Sequence, residues 1–250
     1  MTAIAISGAG GRMGRTVAAA VSDEPDLDLV ATFDPAHVGD VVSGTTVAGD
    51  LAALDGADVV IEWAPVEAVL EHLPAHADAG RHVVVGSSGF TAERLLDVGE
   101  AWSDAEGRLL IVPNFAIGAV LMQRFAAEAA RWFAAYEVVE LHHDAKADAP
   151  SGTALATAVG MAGEQRRRVE SEEYVAGSRG GDVDGVRIHS VRLPGLLAHQ
   201  EVILGNPGEV LTIRHDSMDR SSFIPGVLVA VRGVAGLTDP VTVGLDALLR

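Results

Sequence analysis

Hydrophobic and polar positions give the two parts of the chain different rhythms. Up to about residue 115, short and nearly continuous apolar runs alternate with longer stretches in which apolar residues recur at helical spacing. The runs predict strands over residues 3–7, 27–33, 57–63, 81–86 and 108–113, with residues 45–50 forming a minor strand or a loop. Helices are predicted over residues 15–21, 65–79 and 91–105, with Pro74 marking a kink or an end in the second. Unbroken apolar strands suit a parallel sheet buried on both faces. Strand and helix in alternation predict an α/β, Rossmann-like doubly wound sheet, with ligands beyond the carboxyl ends of its strands.

Beyond residue 116 the rhythm changes. A long amphipathic helix is predicted over residues 117–133, a strand over 136–143, and an alanine-rich helix over 151–168. Residues 170–185 are rich in Gly, Ser, Asp and Glu and read as a loop. Strands follow over residues 186–193, 200–205 and 209–215, then a helix over 223–234 and a tail over 241–249. These strands predict a second, smaller α+β domain on an open mixed sheet, with consecutive and largely antiparallel pairing. Such a sheet leaves a face or edge that another copy can cover.

Composition narrows the classes. Hydrophobic residues make up 48% of the 250, enough for a globular core. The longest apolar runs, such as residues 224–231, fall far short of the roughly 20 residues a membrane span needs. A net charge of −17 disfavours nucleic acid and anionic membrane, so a site for anions must create its own local positive field. There is no cysteine, hence no disulfide, thiol nucleophile or Cys-based metal site. The opening MTAIAISGAGG has no basic leader, which points to a cytoplasmic protein.

Two stretches carry chemistry. Gly8, Gly11 and Gly14, with Arg12 and Met13 between them, lie in a strand–turn–helix context and read as a dinucleotide fingerprint. Asp34 ends the next strand about twenty residues further on, where an acidic side chain bonds the adenosine ribose. A carboxylate there repels a 2′-phosphate and leans toward NADH over NADPH. The second stretch is ELHHDAKADAPSGTA, from Glu140 to Ala154. Lys146 is the only lysine in the chain, while every other Lys-or-Arg position is Arg. A tunable amine with three freely directed donors is not interchangeable with a rigid fork. Glu140 and His142 share one face of a strand and His143 faces the other way, so Glu140 can orient the His142 ring. A metal site using both rings would need a bend, and no metal is expected. Pro150, Ser151, Gly152 and Thr153 open a helix whose free N–H groups attract anions. Two imidazoles, one amine and an anion-binding helix start suit a small substrate that carries carboxylates and receives a proton.

The second stretch resembles the signature E-x-H-H-x-x-K-x-D-A-P-S-G-T-A of the 4-hydroxy-tetrahydrodipicolinate (dihydrodipicolinate) reductase family, matching each fixed position. The resemblance extends to the glycine turn, to Gly86-Ser87-Ser88-Gly89 and to Pro113-Asn114-Phe115-Ala116. It departs at Trp63-Ala64, where the family has Phe-Thr, at Ser87-Ser88, where it has Thr-Thr, and at Ala145, which replaces a basic or amide residue. The resemblance implies reduction of a cyclic imine dicarboxylate by NADH or NADPH in the diaminopimelate–lysine pathway. His142 is then the proton donor with Lys146 as its partner. His143, Ser151, Gly152 and Thr153 hold carboxylates. The cofactor lies on Gly8, Gly11, Arg12, Met13, Gly14, Asp34, Gly86, Ser87, Ser88, Pro113, Asn114 and Phe115, with Arg12 reaching any 2′-phosphate. The implied domains are 1–116 with 222–250 for the dinucleotide and 117–221 for substrate and assembly, the latter forming a homotetramer through its sheet. Rival readings are a reductase of a related cyclic imine and a non-catalytic nucleotide-binding sensor.

Overall fold

The computed structural model describes residues 1–167 and 169–249. The chain divides into two compact units, Ala116–Ser222 and the remainder on either side of it. In chain order the first unit contains β1 (Thr2–Ser7), α1 (Arg12–Asp23), β2 (Leu27–Phe33), β3 (Val41–Val42), β4 (Thr45–Ala48), β5 (Val59–Glu62), α2 (Val66–Asp78), β6 (His82–Val85), α3 (Ala92–Ala101) and β7 (Leu109–Ile111). The strands run in the order β7-β6-β5-β1-β2-β4-β3. All pairs are parallel except β3–β4, a hairpin whose Ser43 and Gly44 both take positive φ (46° and 83°), as a two-residue turn requires. Ile4, Ala5 and Ile6 of β1, Val60 and Ile61 of β5 and Val83, Val84 and Val85 of β6 are all fully buried, which is why these strands do not alternate.

α2 runs through Pro74 to Asp78 and does not end there. Leu73 and His76, both buried, hold its last turns against the sheet. His76 belongs to a polar network under the carboxyl end of β5. Glu62, with no exposed surface, accepts from His76 Nε2 at 2.9 Å and His72 Nδ1 at 3.1 Å. Arg81 donates to His76 Nδ1 at 3.1 Å and also pairs with Asp55. Because Arg81 can only donate, His76 Nδ1 must accept, and the His76 proton sits on Nε2 facing Glu62.

The second unit contains α4 (Ile117–Ala130), β8 (Ala135–His142), α5 (Gly152–Met161), β9 (Gly181–Val183), β10 (Val186–Arg192), β11 (Ala198–Asn206) and β12 (Glu209–Ser217). Its sheet runs β12-β11-β8-β10-β9. The expectation of consecutive, antiparallel pairing fails at the centre. β10 lies parallel to β8, with α5 in the crossover between them, while the other pairs are antiparallel. A parallel pair needs a crossover of this kind, and a helix with a buried stripe supplies it. α4 and α5 cover one face, where Met122, Ala126, Ala154, Ala158, Tyr136, Val138, Ile188 and Val202 form the core. The opposite face, with Val139, Leu141, Val191 and Ile203, is only partly buried.

α5 is shorter than the predicted 151–168 helix, whose last position, Arg168, lies outside the described residues. Ala162 turns extended (ψ 145°) and Gly163 takes φ 81°. Met161 is buried, and its carbonyl accepts the Tyr136 hydroxyl proton instead of continuing the helix. The predicted loop over 170–185 includes the short edge strand β9. After this unit the chain re-enters the first one as α6 (Ile224–Gly233) and β13 (Val241–Val243). β13 pairs parallel with β7 and extends that sheet to eight strands.

Burial alone pushes the Glu62 carboxyl up, but the hydrogen bonds from His72 and His76 outweigh it and hold it below its ordinary value. Its stabilising contribution is therefore present above the unfolded value of 4.5 and is lost as pH falls through the depressed folded value. Glu62→Ala leaves the His72 and His76 ring N–H groups without their acceptor. It is expected to cost about 3 kcal/mol at neutral pH, and less in acid, in urea denaturation experiments.

Candidate active site

In the first unit the glycine turn is tight enough to exclude side chains. Gly8 has φ 72°, and a Cβ there would lie 2.7 Å from the Trp63 carbonyl carbon. A Cβ on Gly14 would lie 2.2 Å from the Gly8 oxygen. α1 starts on Gly11 with no side-chain cap and no acidic residue in its first turn. The N–H groups around Arg12, Met13 and Gly14 thus present a positive helix end that no described side chain caps. Asp34 is tied to this turn, its Oδ2 accepting from Gly10 N and its Oδ1 from Ala36 N, each at 3.0 Å. His37 packs on Gly10 with its Nδ1 3.0 Å from Asp34 Oδ2. Arg12 is exposed. Arg15, which sequence reading passed over, donates from Nε to the Gly10 oxygen at 2.9 Å and pairs with Asp40. A side-chain-free cradle, an open helix start and a positioned carboxylate fit a dinucleotide's pyrophosphate and ribose.

Three further loops follow the carboxyl ends of β5, β6 and β7. The Trp63 ring lies so close on Gly86 that a Cβ there would fall 2.2 Å from it. The same ring meets Phe115 at 5.3 Å between centroids. The Ser87 hydroxyl donates to the Ala64 carbonyl. Trp63 thus joins the Gly86-Ser87-Ser88 loop to the Pro113-Asn114-Phe115 loop through one aromatic surface. Its indole Nε1 is buried with no partner among the described residues.

In the second unit the signature residues gather around one carboxylate. Glu140 is fully buried. Its Oε2 accepts from His142 Nδ1 at 2.5 Å and from Arg192 Nη1 at 2.9 Å. Its Oε1 accepts from Arg192 Nη2 at 2.8 Å and from Ser151 N at 3.3 Å. Burial raises the Glu140 pKa, but hydrogen bonds from Arg192, Ser190 and His142 outweigh this and hold it below the ordinary range. An ionised Glu140 puts the His142 proton on Nδ1 and leaves Nε2 for a ligand. Burial lowers the His142 pKa, and the charges on Lys146 and Arg192 add to this. Glu140 opposes them without reversing the shift.

Lys146 follows in a turn whose N–H bonds the His143 carbonyl at 3.2 Å. Its Nζ pairs with Asp148 at 2.7 Å and not with His142, though its charge is felt there. β8 ends at His142, and His143 N donates to the Leu197 oxygen at 3.3 Å. Ser151 caps α5, its Oγ accepting from Ala154 N at 3.2 Å. Gly152 has open space where a Cβ would stand, so the helix start is accessible from that side. Arg192 is the residue that sequence reading missed. Nothing in its neighbourhood along the chain marks it. Only the β8–β10 register, which sets Arg192 opposite His142, brings it to Glu140.

Comparison with known proteins agrees along the whole chain. Residues 2–115 match the family described as dihydrodipicolinate reductase, N-terminus, and residues 118–249 its C-terminus. The chain is 48% identical to the 4-hydroxy-tetrahydrodipicolinate reductase of Nocardia farcinica (strain IFM 10152), over 98% of both chains. It is 46% identical to that of Mycolicibacterium smegmatis (strain ATCC 700084 / mc(2)155), again over 98% of both. Among solved structures it resembles the dipicolinate-bound dihydrodipicolinate reductase of Paenisporosarcina sp. TG-14. That match has a TM-score of 0.86 at 36% identity, covering 99% of both chains.

The lowered His142 pKa favours the neutral ring in the free protein. In an NMR titration it should protonate below the ordinary 6.5. Glu140→Gln removes the charge that favours the imidazolium and should lower the midpoint further, whereas Lys146→Met should raise it.

Proposed function

The chain belongs to the dihydrodipicolinate reductase family, and from that premise we propose how its residues divide the work of the reaction. The reaction is the NAD(P)H-dependent reduction of 4-hydroxy-tetrahydrodipicolinate to tetrahydrodipicolinate, in which a hydride and a proton are added and the 4-hydroxyl leaves as water, a step of the diaminopimelate–lysine pathway. The reduced nicotinamide supplies a hydride when the cofactor is bound; everything else falls to the chain. Residues 1–116 with 222–250 serve as the dinucleotide domain, and residues 117–221 as the substrate and assembly domain. The amides at Gly8, Gly11, Arg12, Met13 and Gly14 hold the pyrophosphate, and Asp34 the ribose. Arg12 takes the 2′-phosphate when NADPH is used. Gly86, Ser87, Ser88, Pro113, Asn114 and Phe115 take the nicotinamide end.

His143, Ser151, Gly152 and Thr153 bind the substrate carboxylates, helped by the α5 dipole and the Lys146 charge. The observation that carries this reading is the buried Glu140 holding His142 in one orientation beside Lys146 and an open helix start. The relative from Paenisporosarcina sp. TG-14 is bound to dipicolinate, itself a dicarboxylate, which supports this reading. His142 gives the substrate its proton from Nε2, with Lys146 assisting. A neutral ring cannot give that proton, so the imidazolium must form first. The two carboxylates of the substrate favour it by opposing the lowering effects of burial and of Lys146. Proton delivery is thereby coupled to substrate binding.

The enzyme acts in the cytoplasm, where a biosynthetic enzyme meets its substrate and cofactor. No described helix is long and apolar enough to cross a membrane. It assembles as a homotetramer through the partly buried face of the second sheet, which carries Val139, Leu141, Val191 and Ile203. An eight-residue strand with apolar side chains on both faces calls for cover on both.

A cofactor-oxidation assay with freshly generated 4-hydroxy-tetrahydrodipicolinate tests the roles. NADH should serve at least as well as NADPH, and Asp34→Ala should raise the KM for NADH more than for NADPH. Lys146→Arg keeps the charge but does not readily release a proton. It should lower kcat by about 100-fold with cofactor binding intact. A normal kcat with a raised substrate KM would reduce Lys146 to a carboxylate clamp. For assembly, light scattering should give four times the 25.9 kDa chain mass. Ile203→Asp should yield smaller species, and a monomeric wild type at micromolar concentration would refute the tetramer.

A further inference from the structure

Arg192 ends β10 directly opposite His142 in the parallel register. Its guanidinium makes two kinds of contact at once. The fork grips both oxygens of Glu140, at 2.8 and 2.9 Å, and thereby the carboxylate that orients His142. Nη2 also donates to the backbone oxygen of Asp148 at 2.7 Å. The Asp148 side chain in turn holds Lys146 Nζ at 2.7 Å. One planar cation thus reaches the imidazole through a carboxylate and the amine through a turn. A lysine could neutralise Glu140 but could not span these acceptors with a rigid fork.

We propose that Arg192 is the positioning residue that sets His142 and Lys146 relative to each other, by holding Glu140 with its fork and the Lys146 turn through the Asp148 carbonyl. This rests on the reading of His142 and Lys146 as the proton-handling pair. The plainer role is a staple that only neutralises Glu140 and fastens β10 to β8. The two roles differ in what they do to proton chemistry. Arg192 competes with His142 for Glu140 Oε2 and places a second cation near the ring. The charged groups around the ring are Glu140 on its own strand, Arg192 on the neighbouring strand, and Lys146 with Asp148 in the following turn. Removing Arg192 leaves Glu140 Oε2 to His142 and takes a cation from beside the ring, which favours the imidazolium, whereas removing the Glu140 charge disfavours it.

The test uses the full-length enzyme with Arg192→Gln, Arg192→Lys, Glu140→Gln and His142→Ala. Arg192→Gln should bind NADH as wild type does and lose about 10- to 100-fold in kcat, as small misplacements of reacting groups do. Its alkaline limb in the kcat/KM profile should move to higher pH, and that of Glu140→Gln to lower pH. In ¹⁵N spectra the His142 ring of Arg192→Gln should titrate at higher pH than that of the wild type. Arg192→Lys, which keeps the cation, should still lose at least about tenfold in kcat, because the fork is gone. A near-normal kcat in Arg192→Lys, or an unmoved limb and ring midpoint in Arg192→Gln, would overturn the proposal and leave a staple. If Arg192→Gln does not fold, Arg192→Lys decides by its kcat and ring spectrum. His142→Ala with undiminished kcat would instead overturn the underlying assignment of His142, and is read separately.

Discussion

A carboxylate with no exposed surface is the constraint on which the second unit depends. Ionised and alone, Glu140 would cost several kcal/mol to bury. Two guanidinium N–H groups, one imidazole N–H and one backbone N–H surround it. These come from β10, from β8 itself and from the residue that caps α5. Satisfying one buried charge therefore fixes a strand register, a ring tautomer and a helix start together. Charge burial of this kind adds little net stability. What it supplies here is specificity: His142 can present Nε2 outward only while Nδ1–H is engaged on Glu140.

The first unit uses the same device at the carboxyl end of β5. Glu62 is as fully buried as Glu140 and is followed directly by Trp63 and Ala64. Its partners His72 and His76 lie on α2, the very next helix, with Arg81 closing the network behind them. In this case the carboxylate anchors the base of a loop and contributes no group to the loop itself. Above it, Trp63 spreads over Gly86 and against Phe115. Where the family pattern has Phe-Thr and Thr-Thr, this chain has a larger ring next to a smaller residue, and a serine whose hydroxyl is spent on the Ala64 carbonyl. The departures are mutually adjusted. Ala145 needs no such adjustment, because it is exposed.

Much of this arrangement was legible in the sequence wherever chemistry and chain order coincide. The glycine turn, the uncapped start of α1 and the Ser151 cap of α5 are contiguous stretches whose geometry follows from local backbone preferences. The Glu140–His142 hydrogen bond follows from the two-residue period of a strand. Where chain order and space part, the reading failed. The sheet is largely antiparallel as expected, but consecutive pairing failed between β10 and β11, because burying α5 against the sheet places β10 parallel to β8. The 151–168 helix was too long because the Tyr136 hydroxyl, from a strand well before it, takes the Met161 carbonyl. Of the two readings of Pro74, only the helix end is overturned, since Leu73 and His76 hold the turns that follow it and α2 runs on to Asp78.

Arg192 marks the division most clearly. By itself the sequence determined that Glu140, His142, Lys146 and Ser151 lie together, because their spacing is set by one short piece of chain. It also determined that the first part winds into a parallel sheet, because apolar runs of that length must be covered on both faces. Only the tertiary structure decided which of many arginines completes the site. That choice depends on a register fixed across a helical crossover, by packing that no local stretch of sequence contains.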